Sequence, residues 1–110
     1  MQNTNNLLWK YLGKTVGTKL LELPSNWNEL ILYVNEISFY FPFVYVANAD
    51  NDNVFVTSVS GYGVYDYGYY MREVKIRVSR KYVGLLSFKS STNTTTDYGT
   101  DRMTSNIWYR

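Results

Sequence analysis

Residues 20–34, LLELPSNWNELILYV, hold two extended apolar runs on either side of Pro24, Ser25 and Asn26. In the first run Glu22 is flanked by leucines. In the second, Leu30, Leu32 and Val34 alternate with Ile31 and Tyr33, which predicts a strand with apolar contacts on both faces. Pro24 has no N–H to give a ladder and biases Leu23 toward extended geometry, so the first strand ends there. Ser25 or Asn26 is suited to cap a single helical turn over residues 27–30. The stretch therefore reads as strand, corner and central strand of a small sandwich, and it carries no reactive chemistry.

Upstream, residues 7–12 (LLWKYL) read as a first strand with Trp9 and Tyr11 on one face. Gly13-Lys14 is expected to turn the chain into a second strand over 15–23, with Gly17 marking a bulge. Downstream, residues 27–41 make two strands or one bent one, and Pro42 breaks the ladder before a short strand at 43–47. Residues 48–53 (NADNDN) are an Asx-rich loop, 54–60 a strand, and 60–70 (SGYGVYDYGYY) a turn with an irregular strand. The segment 71–79 (MREVKIRVS) alternates most cleanly, with Val74, Ile76 and Val78 inward and Glu73, Lys75 and Arg77 outward. Arg80-Lys81 then turns the chain into a partner strand at 82–89. Residues 90–103 (SSTNTTTDYGTDRM) read as a long polar loop, and 104–110 as a final strand. No helical period is sustained. About eight or nine short strands with regular turn signals predict an all-β, antiparallel β-sandwich, jelly-roll-like in topology.

The chain has 110 residues, which suits a single domain over residues 7–110 behind a flexible leader at 1–6. Aromatic residues reach 18%, with twelve tyrosines, a composition that favours strands. Eleven Lys and Arg against nine Asp and Glu give a net charge of only +2, which argues against nucleic acid as a partner. With no cysteine and no histidine, disulfides, thiolate metal sites and the usual general base are all excluded. No apolar stretch approaches the ~20 residues of a membrane span, and residues 1–6 do not resemble a signal peptide. A soluble chain made in the cytoplasm, without membrane insertion, is the expectation.

Asp50 and Asp52, set among Asn48, Asn51 and Asn53, offer oxygen ligands for Ca²⁺, but the glycine and distal glutamate of a calcium loop are missing, so an Asx turn is the expected structure. Asp50, Asp52 and Asp66 could supply a glycosidase carboxylate pair, yet nothing sets their separation, and no histidine or Ser-x-x-Lys spacing supports a nucleophile. No enzymatic activity, metal or cofactor is expected. If residues 64–70 form a strand, Tyr65, Tyr67 and Tyr69 share a face, with Tyr62 and Tyr70 close by. Such rings could bury in a core or subunit interface, decorate a turn, or stack on a ligand. The loop candidates for ligand contact are Asp50, Asp52, Asp97, Tyr98 and Asp101. The basic group Arg72, Lys75, Arg77, Arg80 and Lys81 is expected to solvate the outer face of an amphipathic strand and protect it from edge aggregation, rather than meet an anionic ligand.

Taken together, Trp9-x-Tyr11-Leu12-Gly13, the Gly17-Thr18 strand, LPSNWNELILYV, YGYYMREVKIRVS and the terminal IWYR make a pattern that resembles small domains of phage and prophage tail-fibre and head-fibre proteins of Gram-positive hosts. The likeness runs from Trp9 to Arg110 and is one of pattern. It implies a non-enzymatic, β-rich virion module that self-assembles, a homotrimer being favoured, and that contacts other virion proteins or a cell-surface polysaccharide. The virion surface would be its location. The matched positions Pro24, Trp27, Glu29, Leu30 and Tyr109 are structural in this resemblance, which transfers no catalytic residue. The other reading of the residues is a monomeric carbohydrate-binding module with a tyrosine-lined face.

Overall fold

A computed structural model describes residues 8–36, 39–47, 52–62, 69–91, 95–98, 100 and 103–110. They form an antiparallel β-sandwich of ten strands: β1 (Lys10–Val16), β2 (Leu21–Glu22), β3 (Glu29–Glu36), β4 (Phe39–Tyr40), β5 (Val44–Ala47), β6 (Asn53–Tyr62), β7 (Tyr69–Val78), β8 (Tyr82–Ser91), β9 (Thr95–Tyr98) and β10 (Met103–Tyr109). The first sheet runs β1-β10-β3 and ends in the short strands β4 and β5, which share the free side of β3. The second runs β6-β7-β8 and ends in β2 and β9, which share the free side of β8 in the same way.

The alternation that predicted a central β3 is realised. Leu30, Leu32 and Val34 are fully buried between the sheets, while Ile31 and Tyr33 lie half-covered on the outer face. Val74, Ile76 and Val78 of β7 and Val83, Leu85 and Phe88 of β8 meet them from the other sheet, while Met103 and Ile107 of β10 join them from their own. Phe41 meets Phe88 edge-on, their centroids 6.4 Å apart. Each such burial contributes about 1.5–3 kcal/mol, and with no disulfide available this core is what holds the sheets together.

At the 20–34 stretch the chain crosses from the second sheet, through β2, into the first, through β3. The expected helical turn over 27–30 is absent. Ser25 and Asn26 instead occupy the middle of a turn closed by the Trp27 N–H on the Pro24 carbonyl at 3.3 Å. A cap serves otherwise unsatisfied N–H groups. Here the Asn28 and Glu29 N–H groups already donate to the Arg110 carbonyl at 2.9 and 2.8 Å, so the chain enters β3 directly.

Two glycines exchange the roles expected of them. Gly13 and Lys14 stay in the β1–β10 ladder, opposite Ile107 and Asn106, and the register slips between Tyr11 and Gly13, so the bulge is there. Gly17, at φ +63°, makes the turn in a conformation that glycine enters without a Cβ penalty, and Lys19 N–H closes it on the Val16 carbonyl at 3.4 Å. The expected strand 15–23 thus shrinks to Leu21–Glu22.

The polar run 90–103 is not wholly loop. β8 continues to Ser91 and pairs with β9, Ser91 opposite Thr95 and Phe88 opposite Tyr98. Threonines that look like low-complexity loop by composition are also β-branched strand formers, and a hairpin partner decides the outcome. β7, finally, is an interior strand between β6 and β8, so its charged outer face solvates the sheet but guards no edge.

Candidate functional site

The outer face of the first sheet brings together aromatic residues from five strands and one connection. Across the face, register places Tyr11 beside Trp108, Trp108 beside Ile31, and Ile31 beside Tyr45. One row away, Asn106 stands beside Tyr33, whose ring stacks with two others: Phe43 at 4.8 Å and Tyr40 at 5.9 Å. Tyr11 and Trp108 meet at 5.3 Å with their planes tilted by 58°. Tyr11, Tyr40, Phe43 and Tyr45 are all more than half exposed, Phe43 at 65%. Solvent-facing strand positions ordinarily carry polar side chains, so adjacent exposed rings make this face the candidate contact surface.

Polar groups are interleaved with the rings. The Tyr11 hydroxyl donates to Asn106 Oδ1 at 2.8 Å. At one end of the face, Arg110 Nε donates to the Glu29 carboxylate while the guanidinium lies 4.3 Å from the Trp9 ring centre. The bond from Arg110 holds Glu29 below the ordinary carboxylate range; partial desolvation opposes it, and a bond from Tyr45 adds to it. Its bond to Glu29 in turn raises the Tyr45 phenol. Each carboxylate and guanidinium in this corner is thus already balanced, and what the face offers a partner is rings with hydroxyl and amide rims.

The residues singled out from sequence fall elsewhere. Tyr62 and Tyr69 are paired strand positions at one end of the β6–β7 hairpin, with Tyr70 opposite Gly61. Tyr65, Tyr67, Asp50, Asp66 and Asp101 lie outside the described residues. Asp97 and Tyr98 are not loop positions but belong to β9, opposite Lys89 and Phe88. Asp52 accepts from Arg77 Nη2 at 2.8 Å and from Nε at 3.4 Å, a two-point pair that lowers the Asp52 carboxyl and raises the guanidinium.

The basic group does not converge either. Arg77 is engaged by Asp52, and Arg80 donates to the Ser25 and Trp27 carbonyls and stacks on the Trp27 ring. The shallow depression between them, lined also by Ser79, Lys81 and Tyr82, is therefore walled by guanidiniums that already have partners. Among the described residues no three His, Cys, Asp or Glu side chains come together as a metal site. No helix among them is long and apolar enough to cross a membrane.

The aromatic face was missed in the sequence because its members are scattered from Tyr11 to Trp108. A signal was present all the same. In KYL, LILYV, VYV and IWY, the position expected to face water is aromatic or aliphatic instead of charged. Comparison with protein families, with curated proteins and with solved structures gives no match for this chain.

Proposed function

We propose that this chain is a non-enzymatic, self-assembling module of the phage-fibre type, and that the outer face of its first sheet is an adhesive surface for a cell-surface saccharide. The observation that carries the saccharide reading is the group Tyr33, Tyr40 and Phe43 beside Tyr11, Trp108 and Tyr45, with Asn106 among them. Sugar rings present flat C–H faces that stack on aromatic rings, and their hydroxyls pair with phenol and amide groups at the margin. The virion setting rests on the sequence resemblance alone.

The test is binding of purified cell-wall polysaccharide, read by calorimetry, for the native chain and for Tyr11→Ala and Phe43→Ala. Both side chains are exposed, so folding should survive. Losing one stacking ring, at about 0.5–1.5 kcal/mol, should weaken binding by up to about tenfold. Wild-type protein that ignores a panel of wall polysaccharides would sink the reading.

A second reading of the same face is a protein interface, favoured by the high exposure of Phe43, a ring without a polar tip. It expects the same two variants to change sedimentation and to leave any saccharide binding untouched.

A further inference from the structure

The self-assembly proposed above requires a surface, and the edges of the two sheets differ in a way that points to one. Unpaired strand edges invite pairing with another chain, and proteins blunt them with charges, prolines, bulges or short strands. β1, one edge of the first sheet, carries Lys10 and Lys14 and the bulge between Tyr11 and Gly13. The opposite edge consists of two-residue β4 and four-residue β5, interrupted by Pro42. In the second sheet one edge is again two short strands, β2 and β9.

β6 has none of these devices. It spans ten residues, NVFVTSVSGY, without a charged residue or a proline. Its register with β7 runs unbroken from Asn53 opposite Val78 to Tyr62 opposite Tyr69. Among the described residues it pairs with β7 alone. Alternate residues of such a strand turn both N–H and C=O away from their only neighbour. Beside that edge the outward side chains Val54 and Val56 are 52% and 54% exposed.

We propose that β6 pairs antiparallel with β6 of a second copy, joining two second sheets into one continuous sheet across a two-fold axis. A strand that pairs with itself repeats every charge it carries close to the axis, where like charges repel. β6 carries none, whereas β1 would bring two lysines from each copy to the joint. The two strands are also equal in length by construction, so the outward-turned backbone groups of one meet those of the other along most of the strand.

The symmetry restricts the register. A two-fold axis normal to the sheet keeps both cores on the same side, so facing residues share a parity and the pairing centres on a residue. For the longest overlap that residue is Thr57 or Ser58, each leaving a single residue of the strand unpaired. Centred on Thr57, Val56 of one copy stands opposite Ser58 of the other, both outward. The product is a dimer, in place of the trimer that the resemblance implies.

The experiment uses the native chain, which has no cysteine to interfere. Ser58→Cys should give a disulfide-linked dimer under mild oxidation in the register centred on Ser58, and together with Val56→Cys in the register centred on Thr57, where the two positions face each other, while Val16→Cys on exposed β1 should not. Sedimentation velocity in the tens of micromolar should show a dimer for the wild type and a monomer for Val56→Lys, with an unchanged circular dichroism spectrum. Ser58→Lys serves the same purpose if Val56→Lys misfolds. A monomeric wild type without the Ser58→Cys cross-link overturns the proposal, as does an oligomer that survives both lysine variants. Saccharide binding measured on the same variants keeps the two readings apart: it should persist in the lysine variants, and its absence throughout would count against the adhesive face and not against the dimer.

Discussion

Arg80 and Trp27 clasp each other twice. The Trp27 indole N–H donates to the Arg80 carbonyl at 2.8 Å, and the Arg80 guanidinium returns over the indole, 4.6 Å from its ring centre. The same guanidinium donates to the Ser25 and Trp27 carbonyls, so the β7–β8 turn of one sheet is tied to the corner that leads into the other.

Trp27→Phe should therefore cost about 1–3 kcal/mol, mainly by leaving the Arg80 carbonyl without its donor. Trp27→Ala should cost about 3–5 kcal/mol, because the side chain is wholly buried. Arg80→Lys keeps the charge but loses the planar guanidinium that covers the indole while its Nη2 donates to both carbonyls, so it should fall between the wild type and Trp27→Phe in urea unfolding. Equal midpoints for Arg80→Lys and wild type would show that the guanidinium half of the clasp contributes nothing.

Gly84 is where β8 passes close to the chain ahead of β2. A Cβ there would stand 2.8 Å from Leu20 Cδ2 and 3.1 Å from the Lys19 carbonyl oxygen. Gly84→Ala is expected to lose about 1–3 kcal/mol by overpacking. Adding Leu20→Ala should recover only part of this, since the backbone oxygen cannot withdraw as a side chain can. Complete recovery in the double variant would place the whole clash on Leu20.

Ser105 is fully buried on β10, and its hydroxyl has no hydrogen-bond partner among the described residues. An unpaired buried hydroxyl carries its desolvation cost into the folded state. Ser105→Ala should thus be neutral or raise the melting temperature, whereas Leu32→Ala, deleting a fully buried side chain of β3, should cost about 2–5 kcal/mol. A clear loss on Ser105→Ala would reveal a partner for the hydroxyl.

The Glu29–Arg110 and Asp52–Arg77 ion pairs give stability a defined dependence on acid. Glu29 and Asp52 are both lowered from ordinary values of 4.5 and 3.8, chiefly by bonds from Arg110 and Arg77. A carboxyl lowered by folding contributes stability that is complete above its unfolded value and lost as the pH falls through its folded one. The melting temperature should accordingly hold near neutrality and decline below the ordinary carboxylate range. Glu29→Gln with Asp52→Asn should flatten that decline, and salt should shrink the difference, because both pairs are partly or largely exposed. A decline of the same steepness in the double variant would assign it to other carboxylates.

Much of the fold was legible because it follows from local alternation. Val74, Ile76 and Val78 turn inward, and Leu30, Leu32 and Val34 line the core, as their spacing predicts. What escaped depended on partners distant in sequence. Nothing near Gly13 and Gly17 says which will meet β10 and which will leave it, and the threonines at 95 and 96 become strand because Ser91 and Ser90 lie opposite. The aromatic face escaped for a related reason: Tyr11, Tyr33, Tyr45 and Trp108 become neighbours through strand order alone, whereas the tyrosines at 62–70 drew notice by being adjacent in sequence.

β1 and β10 are antiparallel neighbours, with Lys10 opposite Tyr109. Residue 10 begins one strand where residue 109 ends the other, so the outer termini of the first and last strands lie side by side. Such a unit can be spliced into a surface loop of another protein without prising that loop apart.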